Sequence, residues 1–398
     1  PSPNLYVRSA ENPFEDVPAE LQTSEVRLFF LTDREPTVNG DGELRYGFGR
    51  SASIAVGTCT VTIGDGISWD ELVEASRVHP RQRRLPLRVA DVREIARTPD
   101  AVIPFVEVEG RRVQNPTVIQ QRLETTQAVA DLLSEHLAHV PRKDVFIMVH
   151  GVANTFDDSV IRMAELWHFL GRVGVPVVYS WPAGRPGLLR GYTHDRESGE
   201  FTVFHLREAL RLLASCEDVE RIHIVAHSRG CDVVLSALRE LHIEQRAAGL
   251  DTRSSLKLGT VVLAAADLDI DVVGTRVLAD GLHHVPEYLI VYLSENDRAI
   301  GIAAWLFSSV TRLGQARVDD LVKNREDLDA FPEIHFVDVR VRHDWLGHSY
   351  IVSDPAVLSD LILVLRDRRL AGAEHGRPLR PIGGQFWELH GDYPQFDD

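Results

Sequence analysis

From Asp144 onward the chain alternates short runs of β-branched and aromatic residues with longer stretches in which apolar side chains recur every three or four positions. That alternation predicts a largely parallel sheet covered by helices. The strands expected are Val145 to Val149, Pro176 to Trp181, Arg221 to Ala226, Thr260 to Ala265, Tyr288 to Leu293 and His335 to Val339. The helices expected are Ser159 to Arg172, Phe204 to Ser215, Cys231 to Glu244, Ala299 to Leu313 and Ala356 to Arg368, with a less regular pattern over Val272 to Leu282. Upstream, Val118, Leu123, Val129, Leu132, Leu133 and Leu137 mark a helix over Thr117 to Leu137 that leads into the first of these strands.

The first hundred residues have a different texture. Val26 to Leu31 and Thr58 to Ile63 read as two strands joined by a Gly-rich, charged loop over Asn39 to Arg50, and Ala101 to Val108 alternates like an edge strand. Such a segment most simply adds antiparallel strands to one side of the main sheet. With no internal repeat and no low-complexity linker, one compact unit is expected: an N-terminal extension over 1–115, an α/β core over 116–370 and an irregular tail over 371–398.

Composition narrows the partners. The 398 residues carry 43 Lys plus Arg against 59 Asp plus Glu, a net charge of -16. Phosphate contacts supply most of the affinity of nucleic-acid binders, and neither a basic surplus nor a basic stripe is visible. At 44% hydrophobic and 26% charged residues the chain has ample material for a core, and disorder is excluded. Cys59, Cys216 and Cys231 show no CxxC spacing, so neither a disulfide framework nor a metal site is expected. No run approaches the roughly 18 apolar residues of a membrane span, so no stable membrane anchor is expected. No basic region followed by an apolar one opens the chain at Pro1, so no signal peptide is read and a cytoplasmic location is expected. A chain starting at proline has lost its initiator methionine, and a longer leader could have gone with it.

The chemistry concentrates in Arg221-Ile-His-Ile-Val-Ala-His-Ser-Arg-Gly-Cys-Asp-Val-Val, a strand that stops abruptly and becomes a helix after Ser228. A serine at such a turn is held in a strained conformation that lifts its hydroxyl clear of the sheet, and only small residues fit two places before and after it. Ala226 and Gly230 meet that need. The alternative is a serine that merely caps the helix. An activated serine needs a base, and the base needs an acid to fix its tautomer. In this chain order the acid follows a later strand and the histidine comes last. Asp297 follows Tyr288 to Leu293, and His348 follows His335 to Val339; Asp267 and His343 are rivals for the two roles. A calcium loop over Asp267, Asp269 and Asp271 is rejected, because Leu278 stands where a glutamate ligand is required. Backbone amides for an oxyanion are expected from Val152 and Arg229, with His150, Gly151, Asn154 and His227 lining the site. Gly47-Phe-Gly-Arg-Ser-Ala leads into a strand and not a helix, so it lacks the mechanism of a dinucleotide site. No cofactor is implied.

With these residues assembled the chain resembles an α/β-hydrolase, and more narrowly the bacterial DUF900 family of uncharacterised serine hydrolases. The resemblance rests on Phe29-Phe-Leu-Thr-Asp-Arg, Val149-His-Gly-Val-Ala-Asn-Thr-Phe, Tyr179-Ser-Trp-Pro-Ala-Gly, Ala226-His-Ser-Arg-Gly, Ser294-Glu-Asn-Asp-Arg-Ala and Gly347-His-Ser-Tyr. It implies an α/β-hydrolase fold, a mostly parallel central sheet flanked by helices with an N-terminal β extension, and Ser228, Asp297 and His348 as a triad. It implies no substrate. Ala153 departs from the Asn expected in the oxyanion loop, and Arg229 from the small or apolar residue after the serine; Arg229 is read as serving an anionic substrate group or pairing with a surface carboxylate.

The function expected is cleavage of a carboxylic ester through an acyl-enzyme, with a diffusible, neutral or only locally charged substrate. Alternatives are an acyltransferase, thioesterase or amidase using the same triad, or a binding protein on the same fold. Gly184 to Phe201, polar, and Ile300 to Leu313, apolar, are the two segments that could act as a lid; the second also reads as an ordinary core helix. Oligomeric state is not legible.

Overall fold

A computed structural model describes residues 1–9, 12–78, 85–100, 105–267, 270–294, 331–341 and 350–396. Its centre is one sheet whose strands, in chain order, are β1 (Glu25–Val38), β2 (Leu44–Ile63), β3 (Leu87–Arg97), then, after a separate hairpin of β4 (Phe105–Val108) and β5 (Arg111–Gln114), β6 (Asp144–Val149), β7 (Val175–Ser180), β8 (Arg221–His227), β9 (Leu258–Ala264), β10 (Tyr288–Leu293), β11 (Ile334–Arg340), β12 (Arg380–Gly383) and β13 (Phe386–His390). The spatial order of the sheet is β12-β13-β11-β10-β9-β8-β6-β7-β1-β2-β3. From β13 to β1 every neighbouring pair is parallel, and antiparallel β12, β2 and β3 complete the two sides. The expected parallel sheet is therefore present.

β6, β7 and β9 are buried along their whole length, and apolar residues dominate them on both faces. That is what a strand covered on both faces requires. Successive side chains enter opposite layers: Val145, Ile147 and Val149 join one core, Phe146 and Met148 the other. The first layer is closed by the helices Pro116–Leu137, Leu188–Ala214 and Gly230–Ala247 through Val129, Leu133, Leu206, Leu210, Val234 and Leu238. The second is closed by Phe156–Phe169 and Pro355–Leu361 through Val160, Met163, Trp167, Leu358 and Leu361. Local chemistry sets the helix starts: Asn115 caps a helix with Pro116 in its first turn, and Thr155 and Asp158 form a capping box.

Several expectations need correction. The loop expected over Asn39 to Arg50 is a turn at 39–43 followed by strand, because β1 and β2 continue as a long twisted ribbon past a bulge near Arg34. The edge of the sheet is β3, whose mixed burial hides it from a pattern search. Of the expected edge strand Ala101 to Val108, residues 101–104 lie outside the described set, and Phe105–Val108 pairs only with Arg111–Gln114. The helix expected from Phe204 begins at Leu188, so most of the Gly184 to Phe201 insert is its first half. The tail over 371–398 contributes β12 and β13, with β13 parallel to β11. What holds it is a buried cluster: Arg377 donates two bonds of 2.8 Å to Asp360, which also accepts from the hydroxyls of Tyr292 (2.6 Å) and Tyr393 (2.7 Å). Such a carboxylate compensates the desolvation of the guanidinium and fixes where the tail lies. The helices expected over Ala299 to Leu313 and Ile300 to Leu313 fall outside the described residues.

Cys59, Cys216 and Cys231 are buried free thiols. Among the described residues no helix is long and apolar enough to cross a membrane.

Burial holds His335 on β11 at a pKa of about 4, with the Arg377 charge pushing the same way. A neutral His335 costs nothing above the unfolded value of about 6.5; as pH falls from there towards 4 the unfolded chain takes up a proton that the folded chain refuses. The free energy of unfolding, measured in urea, should fall over that window, His335 contributing up to about 3 kcal/mol. His335→Leu should flatten that limb, and an unchanged slope would remove this assignment.

Candidate active site

Strand β8 ends at His227, the helix Gly230–Ala247 begins three residues later, and Ser228 between them has φ of 53°. A left-handed backbone at a serine costs on the order of 1 kcal/mol, and it persists only where the surroundings dictate it. Here they do. The Ser228 N–H donates to the Ala264 carbonyl on β9 at 2.9 Å, and the Ser228 carbonyl accepts from Cys231 N–H at 3.0 Å and Asp267 N–H at 3.4 Å. Ser228 is only 2% exposed among these groups.

Two glycines allow the neighbouring loop to reach it. A Cβ on Gly151 would stand 2.7 Å from Ser228 Cβ and 3.2 Å from its Oγ. A Cβ on Gly230 would stand 2.5 Å from the His150 carbonyl oxygen and 2.6 Å from that of Val149. Only a chain without side chains at both places can bring the end of β6 against the turn after β8. The amides of Val152 and Arg229 flank this contact, and neither donates a backbone hydrogen bond among the described residues. Ala153 follows with φ of 58°, so the loop turns back sharply in a conformation that suits Asn or Gly better than Ala.

A buried polar scaffold holds that loop. Asn154 Nδ2 donates to the carbonyls of Val152 (2.8 Å) and Gly151 (3.3 Å). Asp195, on the helix Leu188–Ala214 and 2% exposed, accepts from Ala153 N–H at 2.8 Å and from Gly184 N–H at 3.1 Å. Arg34, at the bulge within β1, donates to the carbonyls of Asn154 (2.9 Å), Ala183 (2.8 Å) and Gly47 (2.9 Å) and to Ser180 Oγ (2.9 Å). Burial lowers its pKa to about 10, with Asp33 and Asp195 opposing. His150 stacks on Trp181 with ring centroids 5.1 Å apart. Its Nδ1 lies 2.8 Å from the Gly151 carbonyl, while Nε2 receives Trp181 N–H at 3.1 Å and faces Arg34 at 3.3 Å. A carbonyl can only accept, so Nδ1 carries the proton. Burial first and Arg34 second hold His150 well below the ordinary histidine range, so it is neutral near pH 7 and structural in its contacts.

Of the residues singled out from sequence, Ser228, Gly151, Val152, Arg229, Asn154, His150 and His227 converge on the ends of β6 and β8. Asp297, His343 and His348 lie outside the described residues. Asp267 is described: it is buried beside the turn, and its carboxylate accepts from the Tyr192 hydroxyl at 3.0 Å. The Arg229 guanidinium pairs with Asp232 at 2.7 Å and Glu200 at 3.2 Å, which is the carboxylate-pairing alternative. Arg34 and Asp195 were not singled out as site residues. Arg34 had a signal, a charge pair Asp33-Arg34 that ends an apolar strand; Asp195 had none, since helix and loop meet only in the fold.

The strain at Ser228 is separable from its hydroxyl. Ser228→Gly should be more stable than Ser228→Ala by about 1 kcal/mol, because only glycine relieves the positive φ. Equal urea midpoints for the two variants would mean that the turn is not strained.

No curated protein matches the chain. Among solved structures it is similar to an esterase from Pyrobaculum calidifontis in a monoclinic form, at 11% identity and a TM-score of 0.30 over 63% of this chain and 93% of that one. It is also similar to a lipase-esterase related protein from Clostridium acetobutylicum ATCC 824, at 14% identity and a TM-score of 0.23 over 53% and 81% of the two chains. The family whose model matches, over residues 125–368, is described as alpha/beta hydrolase of unknown function (DUF900), and the chain belongs to it.

Proposed function

We propose that this α/β-hydrolase cleaves a carboxylic ester, with Ser228 as nucleophile. The observation that carries the reading is the left-handed Ser228 at a strand-to-helix junction, pressed against Gly151 with the amides of Val152 and Arg229 beside it. Chain order supplies His348 as base and Asp297 as the acid that orients it. His348 takes the Ser228 proton as Oγ attacks the carbonyl carbon. The two amides stabilise the oxyanion, aided by the N-terminus of the helix Gly230–Ala247. Collapse expels the alcohol with the proton from His348, and a water activated by the same ring then releases the acid and restores the serine. An acceptor other than water makes the same site an acyltransferase, and a thioester or amide substrate leaves the machinery unchanged.

A second carboxylate has an observation in its favour. Asp267 donates its N–H to the Ser228 carbonyl and holds its side chain buried next to the turn. If hydrolysis survives Asp297→Asn and collapses in Asp267→Asn, the acid is Asp267. A fluorophosphonate probe tests the class itself: the wild type should be labelled and Ser228→Ala should not. Equal labelling of both would remove Ser228 as the nucleophile, and no labelling of the wild type would reduce the chain to a binding protein. Profiling p-nitrophenyl esters of increasing acyl length then separates substrates.

Asp195 is a positioning residue in this scheme, since it holds the Ala153 amide and so aims the amide before it. Loss of one oxyanion donor costs about 100-fold or more in kcat. Asp195→Asn, which keeps one acceptor oxygen, should lower kcat by about tenfold with little change in KM. A change confined to KM, or to the urea midpoint, would assign Asp195 to folding alone.

A further inference from the structure

At the amino ends of β10 and β11, whereas Ser228 follows the carboxyl end of β8, three side chains form a donor set that the serine chemistry does not use. His283 and His284 precede β10, Glu333 precedes β11, and their ligand atoms lie within 4.8 Å of one another. His283 is buried, with the Phe331 ring edge-on at 4.5 Å, while His284 is exposed. The backbone under them is fixed. Arg253 donates to the His284 carbonyl at 2.7 Å, and Leu289 N–H donates to the Glu333 carbonyl at 2.9 Å.

Counting protons shows what the cluster lacks. Nδ1 of His283 lies 2.8 Å from the Val277 carbonyl oxygen, which can only accept, so that nitrogen carries a proton and Nε2 is the ring's ligand position. His284 faces two acceptors at once: its Nε2 lies 2.9 Å from that position, and its Nδ1 lies 3.4 Å from Glu333 Oε1. A neutral imidazole has one proton for these two places. Glu333 Oε1 is buried and accepts no hydrogen bond among the described residues. Nε2 of His283, the His284 ring and Glu333 Oε1 thus present three acceptor positions that converge on one place, which is what a metal ion requires.

We propose that it is a divalent transition metal, with zinc the best match, held by Nε2 of His283, a ring nitrogen of His284 and Oε1 of Glu333. Two imidazoles and a carboxylate are a zinc donor set, and the exposed side leaves room for water as the fourth ligand. The Nδ1 bond from His283 to a backbone carbonyl is the arrangement that orients a metal-binding histidine and raises its basicity. Two nitrogens on one tetrahedral zinc stand about 3.3 Å apart, so the His284 ring, free on its solvent side, needs to move by only a few tenths of an ångström. The ion ties the segment before β10 to the segment before β11 and takes no part in ester cleavage.

The test uses zinc alone. The full chain, stripped with a chelator, is titrated with zinc chloride by calorimetry while its thermal midpoint is followed. One ion should bind per chain and the midpoint should rise. His284→Ala and Glu333→Gln should each weaken zinc binding by about tenfold or more, with each metal-free variant still unfolding cooperatively. If the wild type takes up no stoichiometric zinc, or if both variants bind as the wild type does, the proposal is overturned.

Discussion

Two polypeptide backbones meet at Ser228 with no side chain between them. Gly151 and Gly230 make that meeting possible, and every other part of the site is arranged around it: the left-handed serine, the amides of Val152 and Arg229 that donate no backbone hydrogen bond among the described residues, and the reversal at Ala153. A single methyl at either glycine would collide with a backbone carbonyl or with the serine itself, and no rotamer change relieves a backbone clash. The approach is possible because β6 and β8 are adjacent and parallel, with Val149 opposite Ala226, so that both strands end at the same level. Loops leaving the carboxyl ends of neighbouring parallel strands are where α/β folds place their ligands.

A loop of this kind has polar backbone groups in a buried place, and each must find a partner. The solution is one cation and one anion approaching from different elements. Arg34 takes up carbonyls and Asp195 takes up amides, so the loop is gripped through its backbone on both counts. Neither charge is isolated: Asp33 and Asp195 temper the cost of burying Arg34. His150, neutral and stacked on Trp181, fills the remaining space and spends all its hydrogen-bonding capacity on the scaffold.

The central strands were legible because β6, β7, β9 and β10 have no polar face, and such a run admits little but a buried strand. Ser228 was legible because its strain needs small neighbours at fixed offsets, a local rule. The N-terminal ribbon was read only in part, since beyond Leu31 its side chains are polar and its pairing is set by register rather than by burial. The tail defeated a periodicity search because Arg377, Tyr393 and Asp360 hold it through one buried charge cluster spread over three segments. Asp195 and Glu333 were illegible for the same reason: each meets its partners only through the folding of distant segments.

The parallel pairing of β1 with β7 has a consequence for the order in which the chain can be built. β1 ends at Val38, but the strand it rests against, β7, ends at Ser180. At a synthesis rate of about 5–20 residues per second, the ribbon of β1, β2 and β3 stands outside the ribosome for on the order of ten seconds before its neighbour emerges. Through that interval the β1 edge, with Phe29, Phe30 and Leu31 on it, is an unpaired template of the kind that aggregates. The nascent chain, more than the finished one, is where this edge is a hazard.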